Sequence, residues 1–182
     1  MALTRDASSF PIRDSRLEII EGSPSSPTDV EKSLHKADAV VHCLGIGGKG
    51  DGKPNSLVSD SVRLVLEQMR TNEVERIVCM SNVGAGGSGT WFYRRAVIPV
   101  FLPWLQPIVE DKNLMEAALQ DSSVEWTSVR LPNIVSGPAK PVRVSENGKG
   151  IGLSITADSA AQFLLAQLDD DEWLRRTPSI SN

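Results

Sequence analysis

Short uninterrupted apolar runs alternate along the chain with segments whose apolar residues recur every three or four positions. The runs are Leu17 to Ile20, Ala39 to Leu44, Arg76 to Ser81, Trp126 to Arg130 and a late Pro178 to Ser181. A short run without polar alternation suits a strand covered on both faces, because neither side of such a sheet meets water. Helix patterns fill the intervals. Pro27 to Lys36 follows the turn residues Ser23 to Pro27, and Leu57 to Thr71 sets Val58, Val62, Val65, Leu66 and Met69 on one face. Pro107 to Gln120 turns Ile108, Leu114, Met115, Ala118 and Leu119 inward. A fourth helix opens at Thr156, a residue type suited to the N-cap, with Asp158 and Ser159 in its first turn. It carries Ala160, Phe163, Leu164 and Leu168 at helical spacing and ends in the acidic run Asp169 to Glu172. Strand and helix in alternation predict an α/β fold, a doubly wound, mostly parallel sheet. The last run is expected at the sheet edge, and Gly148 to Gly152 as a hairpin turn.

The 182 residues are expected to form one domain, residues 1–182, with one core. With 19 basic and 23 acidic residues and no block of like charge, the chain lacks the electrostatic footprint of a nucleic-acid or anionic-membrane binder. The longest apolar run, Ala96 to Leu105, is broken by Pro99 and Pro103 and falls far short of a membrane span. Cys43 and Cys79 both lie in apolar runs, which predicts a buried, reduced pair and a cytoplasmic location. His35 and His42 are isolated and no carboxylates pair at a defined spacing, so no metal site is expected.

The stretch Ala39 to Asn82 carries a further pattern: DAVVHCLG, a loop, then SDSVRLVLEQMRTNEVERIVCMSN. With ALTRDASSFP near the start, EDKNLMEAALQDSSVEWTSVRLPNI in the middle and ITADSAAQFLLAQLDD near the end, it resembles the atypical short-chain dehydrogenase group of the NAD(P)-binding (Rossmann-like) fold. Within that group the chain is most similar to the biliverdin-IXβ/flavin reductase and NmrA-like families. Such proteins open with a strand, a Gly-rich turn and a helix whose N-terminus holds the cofactor pyrophosphate. Here Met1 to Asp6 resembles the second strand, so the resemblance implies an N-terminally truncated version of the fold with a gap in mid-sheet. Three readings stay open. The sequence starts late or is part of a longer product; Met1 to Thr4 slides into the central position; or a partner, a homodimer included, supplies a strand. In the last two cases dinucleotide binding is weakened.

The resemblance also implies site residues. Arg5 matches the arginine set against the 2′-phosphate of NADP(H), where a planar, permanently charged guanidinium suits phosphate, and Ser8 can join it. Ser23 stands where the family has an aspartate for the adenine amino group. Leu44, Gly45 and Ile46 follow a buried strand at the carboxyl edge of the sheet, where ligands of this fold bind. Pro132 and Asn133 correspond to residues on the nicotinamide side. Ser81 and Asn82 end a strand where the wider group keeps its catalytic serine, and either can hold a substrate carbonyl. Lys112 matches the family lysine, but Ile108 occupies the position of the tyrosine acid, which disfavours alcohol–ketone chemistry. Trp91, Phe92, Phe101 and Trp104, after the Gly-rich Gly84 to Gly89, can stack on a flat small-molecule substrate and form a lid. Three functions follow: an NADPH-dependent reductase of a flat conjugated substrate, a non-redox NmrA-like binding module, or a cofactor-free isomerase or cyclase.

Overall fold

The computed structural model describes residues 1–46, 52–88, 100 and 102–182. Five strands form the main sheet, in the order β3 (Ala39–His42), β4 (Arg76–Gly86), β5 (Glu125–Leu131), β9 (Ser179–Ser181) and β7 (Arg143–Ser145). All neighbours are parallel except β7 against β9. β1 (Ala2–Thr4) and β2 (Ile19–Glu21) pair in parallel with each other as a separate two-stranded sheet, as do β6 (Asn133–Val135) and β8 (Ser154–Thr156). The helices are α1 (Pro27–Leu34), α2 (Leu57–Thr71), α3 (Gln106–Gln120) and α4 (Ala157–Ala166).

Two apolar clusters sandwich the sheet, because successive strand residues point to opposite faces. On one face Ile77, Cys79 and Trp126 meet Val58, Val62 and Met69 of α2 and Met115 and Leu119 of α3. On the other, Val78, Val129 and Leu131 meet Ala160 and Leu164 of α4. Each such fully buried aliphatic side chain contributes about 1.5–3 kcal/mol over leaving it exposed.

Local chemistry sets the helix ends. The Ser26 hydroxyl accepts from the Asp29 amide at 3.4 Å and Pro27 supplies a preset φ at the first turn. α1 stops at Leu34, two residues before the expected end, and Lys36 takes a left-handed φ of 60°. α2 has no local side-chain cap. Its first amides, Val58 N and Ser59 N, donate to the Asp111 carboxylate of α3 at 2.9 Å each.

Several expectations need correction. β9 lies inside the sheet, between β5 and β7, because the irregular chain after β6 returns β7 to cover its outer edge. Gly148 to Gly152 is not a hairpin turn, since β7 pairs with β9 while β8 pairs with β6. Leu114 is exposed, and the inner face of α3 instead buries Asp111, Lys112, Met115, Glu116 and Leu119. Cys79 is buried but Cys43, one residue beyond the end of β3, is exposed, so the two thiols are not a buried pair. Met1 to Thr4 does not slide into mid-sheet: β1 stays beside β2. Among the described residues, no helix is long and apolar enough to cross a membrane.

Candidate functional site

Because β3, β4 and β5 run parallel, their carboxyl ends share one edge of the sheet, and the residues beyond them gather there. Leu44, Gly45 and Ile46 follow β3, Asn82 lies within the long β4, and Pro132 and Asn133 follow β5. Gly45 is exposed, and a Cβ placed on it would meet nothing within 4 Å. The backbone there is open to a ligand.

A cleft of about 1200 Å³ separates β1 from β3. It is lined along one side by Met1 to Arg5 and along the other by Ala39 to Leu44. Arg5 follows β1 directly, and its exposed guanidinium has no protein partner among the described residues. Ser8 is tied back locally, its hydroxyl donating to Asp6 at 2.6 Å. The Ser23 hydroxyl accepts from the Ser25 amide at 3.2 Å, while its own amide donates to the Asp29 carboxylate at 3.0 Å. A carboxylate from α1 thus stands beside the position where the family pattern puts its aspartate.

Ser81 and Asn82 part company, as neighbours on a strand must. The Ser81 hydroxyl is buried and donates to Glu116 Oε1 at 2.8 Å. The same carboxylate takes Arg130 Nε at 3.0 Å, Arg130 Nη2 at 2.6 Å through Oε2, and the Ser128 hydroxyl at 3.3 Å. This is a two-pronged buried ion pair with both carboxylate oxygens engaged, the arrangement that makes a buried charge tolerable. Gly86 completes it. A Cβ there would collide with the Arg130 guanidinium, and the glycine φ of 54° is left-handed. Asn82, half-buried, faces away from this network.

Lys112 is 2% exposed. Its ammonium donates to the carbonyls of Met80 at 2.6 Å and Leu44 at 3.2 Å, tying the middle of β4 to the segment after β3. Burial pushes its pKa below the ordinary lysine value. His42 is buried beside it, with Nε2 3.0 Å from the Ser61 hydroxyl, and Nδ1 has no partner. Burial first, and the Lys112 charge second, depress its pKa to about 4, so the imidazole is neutral. Burial also raises the Cys79 thiol to about 12.

Of the expected aromatic lid, Trp91, Phe92 and Phe101 lie outside the described residues. Trp104 sits in a short 3-10 turn, Pro103–Leu105, and is half-buried. Among the described residues no cluster of His, Cys, Asp and Glu could hold a metal ion. Glu116, Asp111 and His42 were not singled out from sequence. Their partners lie 12 to 53 residues away along the chain, and no local spacing marks them.

A mostly parallel sheet covered by helices on both faces, with an open glycine at its carboxyl edge, defines a dinucleotide-binding type of α/β protein. Residues 1–171 match the NAD(P)H-binding family, and the chain belongs to it. Its fold is shared with solved structures. A wide-type short-chain dehydrogenase/reductase from Veillonella parvula, in complex with NADP, superposes with a TM-score of 0.75 at 13% identity, over 93% of this chain and 74% of that one. An oxidoreductase from Lactococcus lactis gives 0.76 at 16% identity, covering 100% of this chain and 78% of that one. A putative NAD-dependent epimerase/dehydratase from Bacillus halodurans gives 0.77 at 20%, covering 100% and 81%.

The residues present fit a nicotinamide dinucleotide at its ends. Arg5 lines the cleft on one side, its exposed guanidinium without a partner among the described residues, and the open backbone of Gly45 follows the strand segment that lines the other. Among the described residues, no Gly-rich turn joins a strand to a helix at the middle of that span.

Proposed function

We propose that the chain is an NADP(H)-dependent reductase of a flat, conjugated small molecule. The observation that supports this most is the exposed guanidinium of Arg5, without a partner among the described residues, on the cleft that Leu44 also lines, within a family whose ligand is NAD(P)H. Arg5 would take the 2′-phosphate, Gly45 and Ile46 the ribose, and Pro132 and Asn133 the nicotinamide side. When bound, such a cofactor supplies a hydride. Asn82 would orient an electron-poor ring by hydrogen bonding, with the proton coming from solvent, since Ile108 leaves Lys112 no tyrosine to act with. Lys112 acts by position: it fixes the chain before Gly45 through the Leu44 carbonyl.

The test is a titration of the 182-residue chain with NADPH and NADH, alone and with Arg5→Ala. A charge-assisted bond contributes about 1.5–3 kcal/mol, so the variant should bind NADPH roughly 10- to 100-fold more weakly and NADH about equally. No saturable binding at millimolar nucleotide would end the reductase reading. A non-redox, NmrA-like binding role is the second reading. It is favoured by the commitment of both Ser81 and Lys112 to internal partners, and it predicts nucleotide binding without turnover of flavins or quinones.

A further inference from the structure

The turn that leaves β7 holds the parts of an intramolecular acyl transfer side by side. Asn147 is exposed and precedes Gly148, the one Asn-Gly pair in the sequence. Two donors meet its side-chain oxygen Oδ1: the Ser145 hydroxyl at 3.3 Å and the Lys149 backbone amide at 3.0 Å. An N–H can only donate, so the side-chain atom facing Lys149 is the oxygen and the other is the amide nitrogen Nδ2. Among the described residues, neither Asn147 Nδ2 nor the Gly148 backbone N–H makes a hydrogen bond. Gly148 takes a left-handed φ of 73° and has no Cβ to obstruct the approach of its nitrogen.

Each of these groups has a part in one reaction. Gly148 N attacks Asn147 Cγ, and the five-membered ring closes through Cβ, Cα and C of the same residue, so proximity comes from the covalent chain. The addition drives the carbonyl electrons onto Oδ1, the atom that carries both donors, and they stabilise the oxyanion as it forms. The Cγ–Nδ2 bond then breaks, and Nδ2 leaves as ammonia with the proton from Gly148 N. Water, which an exposed turn admits, opens the resulting imide at either carbonyl and leaves an aspartyl or an isoaspartyl residue. Asn113, also exposed, lacks this set: its Oδ1 accepts one amide, that of Gly86, and the bulky Leu114 follows it.

We infer that Asn147 is a self-modification site, at which the folded turn converts asparagine to an aspartyl or isoaspartyl residue faster than the same sequence does unfolded. Water is the only co-reactant. The product makes the chain one charge more negative, next to Glu146, whose carboxylate pairs with Arg176 at 3.3 Å. The isoaspartyl form also inserts a methylene into the backbone just beyond β7, the outer strand of the main sheet. The inference does not depend on the cofactor reading, and its test contains no nucleotide.

The folded chain and the chain unfolded in urea are held for days in the same mildly alkaline buffer. Ion-exchange chromatography follows the acidic shift and peptide mass mapping locates it. Two neutral hydrogen bonds to the developing oxyanion predict that the folded chain gains charge at Asn147 roughly tenfold faster than the unfolded one. Ser145→Ala should slow the folded reaction roughly two- to tenfold and leave the unfolded rate unchanged. Asn147→Gln, whose longer side chain cannot close the five-membered ring, should lose the shift. The inference is overturned by a folded rate equal to or below the unfolded one, in which case burial of Gly148 protects the site. It is equally overturned by a folded Ser145→Ala rate that matches the parent, or by an acidic shift of undiminished size in Asn147→Gln.

Discussion

Removing Glu116 tests whether the carboxyl edge is held from beneath by one buried network. In Glu116→Ala the Arg130 guanidinium, whose side chain is 8% exposed, loses both its bonds at 3.0 and 2.6 Å. Breaking one partner of a buried pair costs about 3–5 kcal/mol, because the remaining charge has no water to replace it. The Ser81 and Ser128 hydroxyls lose their acceptor as well, adding about 1 kcal/mol. The sum, about 4–6 kcal/mol, is a large part of the 5–15 kcal/mol typical of a folded domain. For a chain of this size it corresponds to a fall in Tm of roughly 10–20 °C. The double variant Glu116→Leu with Arg130→Met exchanges the pair for apolar volume and should recover more than half of the loss. Thermal unfolding followed by far-ultraviolet circular dichroism, with urea titration as a second measure, reads both. A loss below about 1 kcal/mol in Glu116→Ala, or a double variant as unstable as the single, would refute the reasoning.

Three further outcomes follow from the same geometry. His42 binds its proton more weakly in the folded chain, with the pKa lowered from 6.5 to about 4, so the unfolded chain holds more protons between those values. Stability from this group is complete above pH 6.5 and falls by up to about 3 kcal/mol as pH drops to about 4. Urea midpoints measured across that window should show the slope, and His42→Gln should flatten it; an unchanged slope would remove His42 as the cause. Asp111→Ala strips the first turn of α2 of two acceptors and should cost about 1–3 kcal/mol, with faster amide exchange at Val58 and Ser59. Lys112→Met leaves the carbonyls of Leu44 and Met80 unpaired, so amide exchange at Gly45 and Ile46 should accelerate, whereas exchange in α4, on the opposite face of the sheet, should not change.

How much of this is legible in the sequence depends on the range of the interaction. Continuous apolar runs locate β3 and β5 to within two residues and fix the start of β4, which runs five residues beyond the expected Ser81, because burial on both faces writes the strand directly into composition. The strands β6, β7 and β8 carry no such mark, since β6 and β7 are largely exposed and β8 holds a single apolar residue, so burial writes no apolar run into them. α3 shows the sharper limit. Hydrophobicity chose Leu114 for its inner face, but the fold buries Asp111, Lys112 and Glu116 there. Each charged group has a separate partner from another element: the N-terminus of α2, the carbonyls of Met80 and Leu44, and Arg130. A pattern reader scores these residues as solvent-facing, because their compensation is invisible until the chain is folded.

The same distinction governs the cleft. Family likeness places a strand between β1 and β3, yet sequence alone left open whether β1 would move to close the gap. The reason it does not is energetic and local. Ala2 and Thr4 already bond to β2, and Leu3 packs against the cluster that holds Val30 and Leu34 of α1. Moving β1 into the gap would give up those bonds and that burial to make the same number of bonds with β3, and α1 would lose its cover. Leaving the slot open instead costs only the solvation of two strand edges, which water can provide in an open cleft. β1 and β2 therefore keep their place beside α1, with the cleft between β1 and β3 open to water.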